Sequence, residues 1–206
     1  MRQAGFTFCY ILLFFGLSLG GCISIPTTPP PRFYTLEALD KGQPVKQYKV
    51  RTGMVVGIGP VKIPEFLIRP QIVTKDKKNL LEFSEFDRWG EGLDFAFVRV
   101  MNENLALMLP DAVIEMYPWD LNIAIRYQVI VNVIALECSL NQDMLLVAQW
   151  TVIDQNSRKA VFTKRSQLRQ AIMPHSYPGL VKTLSAACVS LSEEMASELS
   201  LLAPER

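Results

Sequence analysis

Cys22 is the residue best placed to do covalent chemistry. It follows Leu19-Gly20-Gly21, which closes an apolar run from Phe6 to Leu19 behind a single basic residue, Arg2. A charged start, an apolar middle and small residues at a cut site are the layout of a secretory signal. Cysteine brings a thiolate nucleophile near neutral pH, and Gly20 and Gly21 are small enough to enter a peptidase pocket. The spacing sets a nucleophilic thiol directly behind the small residues of a cut site. A membrane-crossing helix needs ~20 consecutive apolar residues; this run is shorter and ends in Gly-Gly-Cys.

Other reactive groups are sparse. The one histidine, His175, stands just before the last helical pattern with no nucleophile near it in sequence, and reads as a loop or cap residue. No His/Cys/Asp/Glu cluster has metal spacing, and neither a Gly-x-Ser-x-Gly elbow nor a Walker A sequence is present. Gly57-Ile-Gly59 followed by Pro60 reads as a strand bulge rather than a phosphate loop. Glu82, Glu85, Asp87, Glu91 and Asp94 cluster in sequence and could hold an acid–base pair. The simpler reading puts Glu82 and Glu85 on two faces of a strand and Asp94 in a helix's first turn, where negative charge is favourable. The expectation is therefore a protein without a catalytic centre or cofactor. Arg69, Arg88, Trp89 and Glu91, beside Pro70 and the Gly90-Glu91-Gly92 turn, are candidate partner contacts, since Trp and Arg are enriched in binding hot spots. The alternative is that Trp89 plugs the end of the core and Arg88 pairs with Glu91. Trp119, after Pro118, reads as structural. Cys138 and Cys188 could pair as a disulfide, but both lie in apolar settings that suit two buried thiols.

The elements that must carry these residues follow from periodicity. Residues 1–21 read as a leader. Residues 22–32 contain Pro26, Pro29, Pro30 and Pro31 and read as an extended tether. Residues 33–206 read as one domain. Of 21 basic residues one lies in the leader, which leaves 20 of each sign and no basic excess for nucleic acid. Strands are expected at 33–36 and 54–62, a hairpin at 71–75 and 80–86, a helix at 93–109 ended by Pro110, and a strand at 112–117. An antiparallel meander over 125–136, 144–154 and 160–170 follows, with Met144, Leu146, Ala148, Trp150 and Val152 sharing one face. Thr163, Arg165, Gln167 and Arg169 make a wet face on its last strand. A helix over 177–202 starts at Ser176 and Pro178 and turns Ser185, Ser192, Glu193 and Ser200 away from its apolar stripe. The fold class is α+β: a mostly antiparallel sheet with two amphipathic helices on one face.

The Leu-Gly-Gly-Cys22 ending resembles the lipobox of bacterial lipoproteins, in which the thiol receives diacylglycerol, the leader is removed and the new amine is acylated. Each buried acyl CH₂ adds ~0.8 kcal/mol, and stable anchoring needs more than one chain. Phe33-Tyr-Thr-Leu36, Val56-Gly-Ile-Gly-Pro-Val-Lys-Ile-Pro64, Leu67-Ile-Arg-Pro-Gln-Ile-Val73, Phe86-Asp-Arg-Trp-Gly-Glu-Gly-Leu93, Val100-Met-Asn-Glu-Asn-Leu105 and Tyr117-Pro-Trp119 together resemble the PqiC-type lipoproteins, auxiliary components of ABC-type transport systems. That resemblance implies a partner of the MCE-domain (PqiB-like) type, lipid movement across the periplasm, envelope integrity and ring-like self-assembly. It also implies an outer-membrane address, because Ile23 rather than Asp follows the acylated Cys. A second reading is a lipoprotein that itself binds a lipid or other hydrophobic ligand between sheet and helices, in a cavity beyond what Phe97, Met101, Leu105 and Trp150 fill. Cys22→Ala is expected to leave an uncleaved, mislocalised precursor in membrane fractionation; normal processing and outer-membrane recovery of that variant would overturn the anchor.

Overall fold

The computed structural model describes residues 28–42, 44–76 and 79–203, so Cys22, the leader and the start of the tether lie outside the described residues. The chain divides into two units, Met1–Pro30 and Pro31–Arg206. Of the first, only residues 28–30 are described, and they are exposed. All that follows concerns the second.

The elements in order are β1 (Arg32–Tyr34), β2 (Met54–Lys62), a 3-10 turn (Glu65–Leu67), β3 (Gln71–Lys75), β4 (Leu81–Trp89), α1 (Leu93–Met108), β5 (Ala112–Met116), β6 (Tyr127–Cys138), β7 (Asp143–Asp154), β8 (Lys159–Ala171) and α2 (Tyr177–Leu202). They build a three-stranded sheet in the order β1-β4-β3 and a five-stranded sheet in the order β5-β2-β6-β7-β8. The fold is α+β. The hairpin β3-β4 and the meander β6-β7-β8 are antiparallel. The pairings of β1 with β4 and of β2 with β5 and β6 are parallel. The sheets are therefore mixed, with most of the paired residues in the antiparallel ladders as expected. The reason is connectivity: the hairpin and α1 separate β2 from β5, a crossover long enough to return the chain in the same direction.

The core lies between the large sheet and the two helices. Met144, Leu146, Ala148, Trp150 and Val152 point into it from β7, and Phe97, Met101 and Leu105 enter the same core from α1, all fully buried. The Trp150 indole N–H donates to Ser166 Oγ at 3.0 Å, so its polar edge is satisfied. On the other side of the sheet Thr163, Arg165, Gln167 and Arg169 are exposed. In α2, Ser176 Oγ accepts from Gly179 N at 3.3 Å, as its capping position requires.

A strap over residues 35–50 crosses the helices, with Leu36 and Val50 buried. Two of its backbone donors are met by side chains, Ser185 Oγ accepting from Glu37 N at 3.1 Å and Asn104 Oδ1 from Leu39 N at 2.8 Å, and Tyr48 N donates to Met108 O at 2.8 Å. This corrects the placement of Ser185 and Ser192, which are buried rather than on a solvent face. Their hydroxyls also donate to Val181 O and Cys188 O, one helical turn back, at 2.9 and 2.8 Å. α2 is thus covered on a wider arc than its apolar stripe.

The glycines of β2 let aromatic rings close on the sheet. The register slips between Ile58 and Val61, the expected bulge, and Gly59 has φ of 112°. A Cβ on Gly57 would stand 2.7 Å from the Trp119 ring, which packs edge-on to Tyr117 with centroids 5.5 Å apart. Gly57→Ala is expected to cost about 1–3 kcal/mol by overpacking, with part recovered when Trp119→Leu is added. Thermal denaturation checks this; an unchanged midpoint for the single variant would mean the ring is free to move away.

Candidate docking site on the small sheet

Register fixes which side chains of the small sheet can meet a partner. β1 pairs Arg32 with Asp87, Phe33 with Arg88 and Tyr34 with Trp89. β3 pairs Gln71 with Arg88 and Val73 with Phe83, so the four residues between Phe83 and Arg88 stand against Ile72 alone and β4 bulges there. Ser84 and Asp87 stitch the bulge: Asp87 N donates to Ser84 Oγ at 2.9 Å and Ser84 Oγ donates to Asp87 Oδ2 at 3.1 Å. Beyond it Asp87 and Trp89 turn inward while Arg88, paired with Phe33, turns outward.

Asp87 is 3 % exposed. Arg32 reaches it with a two-pronged fork, Nε to Oδ1 and Nη2 to Oδ2, both at 2.8 Å, and Tyr34 Oη donates to Oδ1 at 2.8 Å. Burial by itself pushes this carboxyl up; the hydrogen bonds from Arg32, Tyr34 and Ser84 together outweigh it and hold the pKa below the ordinary carboxylate range. Burial, then the bond to Asp87, pushes the Tyr34 phenol up.

Glu91 is held by Arg99, eight residues on in α1: Nη2 donates to Oε1 at 2.6 Å and Nε to Oε2 at 3.3 Å. That bond, more than any other cause, lowers the Glu91 pKa. Thr35 donates to the same carboxylate, and Arg99 Nη2 also donates to Leu36 O at 2.8 Å. The alternative pairing of Arg88 with Glu91 is therefore not formed. A helical turn brings Arg99 back over the Gly90–Gly92 corner, whereas Arg88 leaves from the other face of the strand.

The four candidate contacts separate accordingly. Trp89 is 7 % exposed and belongs to the buried core, and its backbone N–H donates to Pro70 O at 2.6 Å. Arg69 lays its guanidinium 4.4 Å over the Phe83 ring. Arg88 has its Nε buried with no hydrogen-bond partner, and among the described residues neither Arg69 nor Arg88 makes an ion pair. Arg69, Trp89 and Glu91 line one hollow of about 350 Å³, with Ile68, Pro70 and Asp94; Ile68 is 59 % exposed at its rim. Two other hollows have rims already occupied by ion pairs, Lys75–Glu137 at 2.8 Å in one and Lys164–Glu194 at 3.1 Å in the other.

The remaining sequence candidates stand apart from this site. His175 Nδ1 lies 2.9 Å from Leu140 O in an exposed loop. Cys138 and Cys188 are free and buried, so the disulfide considered for them is not formed. Burial pushes both thiols up to about 12, far from the reactive range. Among the described residues no group of His, Cys, Asp and Glu could hold a metal ion, and no helix is long and apolar enough to cross a membrane. Of the two residues that order the site, Asp87 stands out in the sequence only as a member of the 82–94 carboxylate cluster, and Arg99 does not stand out at all. Ser84-x-x-Asp87 is a local signal for a stitched bulge, but the partners Arg32 and Tyr34 lie more than fifty positions away.

Asp87→Asn is expected to cost about 1–3 kcal/mol at neutral pH, the range for hydrogen bonds to a charged group. A carboxyl with a lowered folded pKa stabilises fully above its unfolded value, roughly 3.9, and loses that contribution as pH falls through the lower folded value. Denaturant melts should therefore show the gap between wild type and variant closing in acid; a gap independent of pH would remove the charge from the account.

The sequence model of the ABC-type transport auxiliary lipoprotein component matches residues 34–196. No curated protein matches the chain. Among solved structures, the chain is similar to an uncharacterised protein with a TM-score of 0.69 at 16% identity, over 84% of this chain and 100% of that one. A protein from Xanthomonas campestris superposes with a TM-score of 0.59 at 10% identity, over 80% of this chain and 92% of that one. At these identities the two structures speak to the fold alone.

Proposed function

This chain belongs to the ABC-type transport auxiliary lipoprotein family, and from that membership we propose that it is the lipid-anchored, outer-membrane subunit of an MCE-type trans-envelope lipid transport system. It acts by docking an MCE-domain protein at the periplasmic side, contributes to membrane integrity, and assembles with copies of itself into a ring around that partner. The observation that carries the reading is the family match over residues 34–196. The lipobox-like Leu19-Gly20-Gly21-Cys22 supports the anchor, and Cys22 is the proposed site of acylation. Tethering confines the body to a surface, so that weak contacts gain effective concentration.

The hollow beside the β4–α1 corner is the proposed docking point. Its floor is rigid, because Trp89 is packed from below and Glu91 is locked by Arg99. Its rim offers Ile68 as an apolar anchor and Arg69 as a cation without an ion pair among the described residues. Rigid floors with one exposed anchor suit binding by a small hot spot.

The test is affinity capture from detergent-solubilised envelopes, with lipid analysis of the eluate. The wild-type protein should recover an MCE-domain protein. Ile68→Asp with Arg69→Ala should reduce that recovery roughly tenfold while the melting temperature holds, since exposed substitutions shift stability by only about 0.5 kcal/mol. Recovery of a lipid and no protein would replace docking by direct ligand binding; equal recovery by the double variant would move the docking point elsewhere.

A further inference from the structure

We propose that the outward face of the small sheet, carrying Phe33, Arg88 and Phe83, rests on the phospholipid headgroups of the bilayer that holds the anchor. This rests on the reading of Cys22 as a lipid anchor, and adds to it that the folded body itself touches the membrane.

Register places these residues together. In a sheet, directly paired residues point to the same side. Phe33 pairs with Arg88, Arg88 with Gln71, and Val73 with Phe83. Gln71 and Val73 are two apart on β3 and share a side, so the set forms one surface across the bulge. Phe33 is 63 % exposed and Phe83 46 % exposed. The carboxylates in register lie on the other side: Asp87 pairs with Arg32 and Glu82 with Thr74. Glu85 falls inside the bulge, out of register, and is exposed.

The surface joins two exposed aromatic rings to the guanidinium of Arg88, which makes no ion pair among the described residues. A guanidinium is a planar fork, weakly hydrated for a cation, and matches the oxygens of a phosphate. An exposed Phe beside it suits the boundary between headgroups and acyl chains. What selects a lipid surface over a protein is position. Phe33 is the second residue of β1, eleven positions after Cys22. A Pro-rich stretch of this length reaches at most roughly 30 Å at ~3.1 Å per residue, a reach that allows this face to come down on the bilayer beside its own anchor.

The test uses the full acylated protein reconstituted in vesicles of phosphatidylethanolamine and phosphatidylglycerol. An environment-sensitive label is attached at Gln71→Cys, in the centre of the face, or at Gln167→Cys on the exposed side of β8 as a control. Brominated acyl chains should quench the label at 71 severalfold more than the label at 167. Adding Phe33→Ser and Arg88→Ser should bring the two labels level, while a far-ultraviolet spectrum and melting temperature confirm that the variant is folded. Equal quenching at both positions in the otherwise native protein overturns the proposal, and so does a label at 71 that is shielded from aqueous quencher but untouched by brominated lipid, because a protein then covers the face. Protein that fails to float with the vesicles has no anchor, and overturns the reading of Cys22 together with this one.

Discussion

A carboxylate buried as deeply as Asp87 survives in its charged form only because donors reach it from several directions, and those donors decide the shape of the small sheet. Two of them, Arg32 and Tyr34, sit on β1, a strand of three residues. So short a strand contributes few backbone bonds of its own. The third, Ser84, closes the bulge that reverses the facing of β4. One charge therefore sets three things: the attachment of β1, the inward turn of Trp89 and the outward turn of Arg88. The docking hollow and the proposed membrane face lie on opposite consequences of the same bulge.

The strap extends this logic across the helices. An extended segment lying on a helix layer cannot satisfy its N–H groups with a neighbouring strand, and buried donors without partners are costly. Here Ser185 and Asn104 supply the acceptors, and Arg99 ties Glu91, Thr35 and the Leu36 carbonyl into one cluster. Ser185 and Asn104, inside the helix pair, thus serve the strap. Phe97, Met101, Leu105 and Trp150, the residues between which a cavity had been considered, are all fully buried.

Much of the architecture was legible because its signals are local. The alternation in β7, the helical spacing of α1, Pro110 after it and the Ser176-x-Pro178 start of α2 each lie within a few residues of the element they define. What sequence could not supply depends on distant pairs. The parallel pairing of β2 with β5 and β6 requires knowing where the chain returns. Ser185 and Ser192 look like a solvent face until a strap is laid over them. Arg88 beside Glu91 in sequence suggests a pair, yet strand alternation separates them and a helical turn presents Arg99 instead. The anchor motif at Cys22 is read from sequence alone, outside the described residues.

The parallel alignment of β1 with β4 has a mechanical side. A pull directed along the axis of β1 strains the bonds joining it to β4 together, in shear, instead of opening them one by one like a zipper. The guanidinium fork on Asp87 stands at the loaded end of that seam. Under such a force the joint spreads the load along the seam, and the first link to take it is a charge-assisted one.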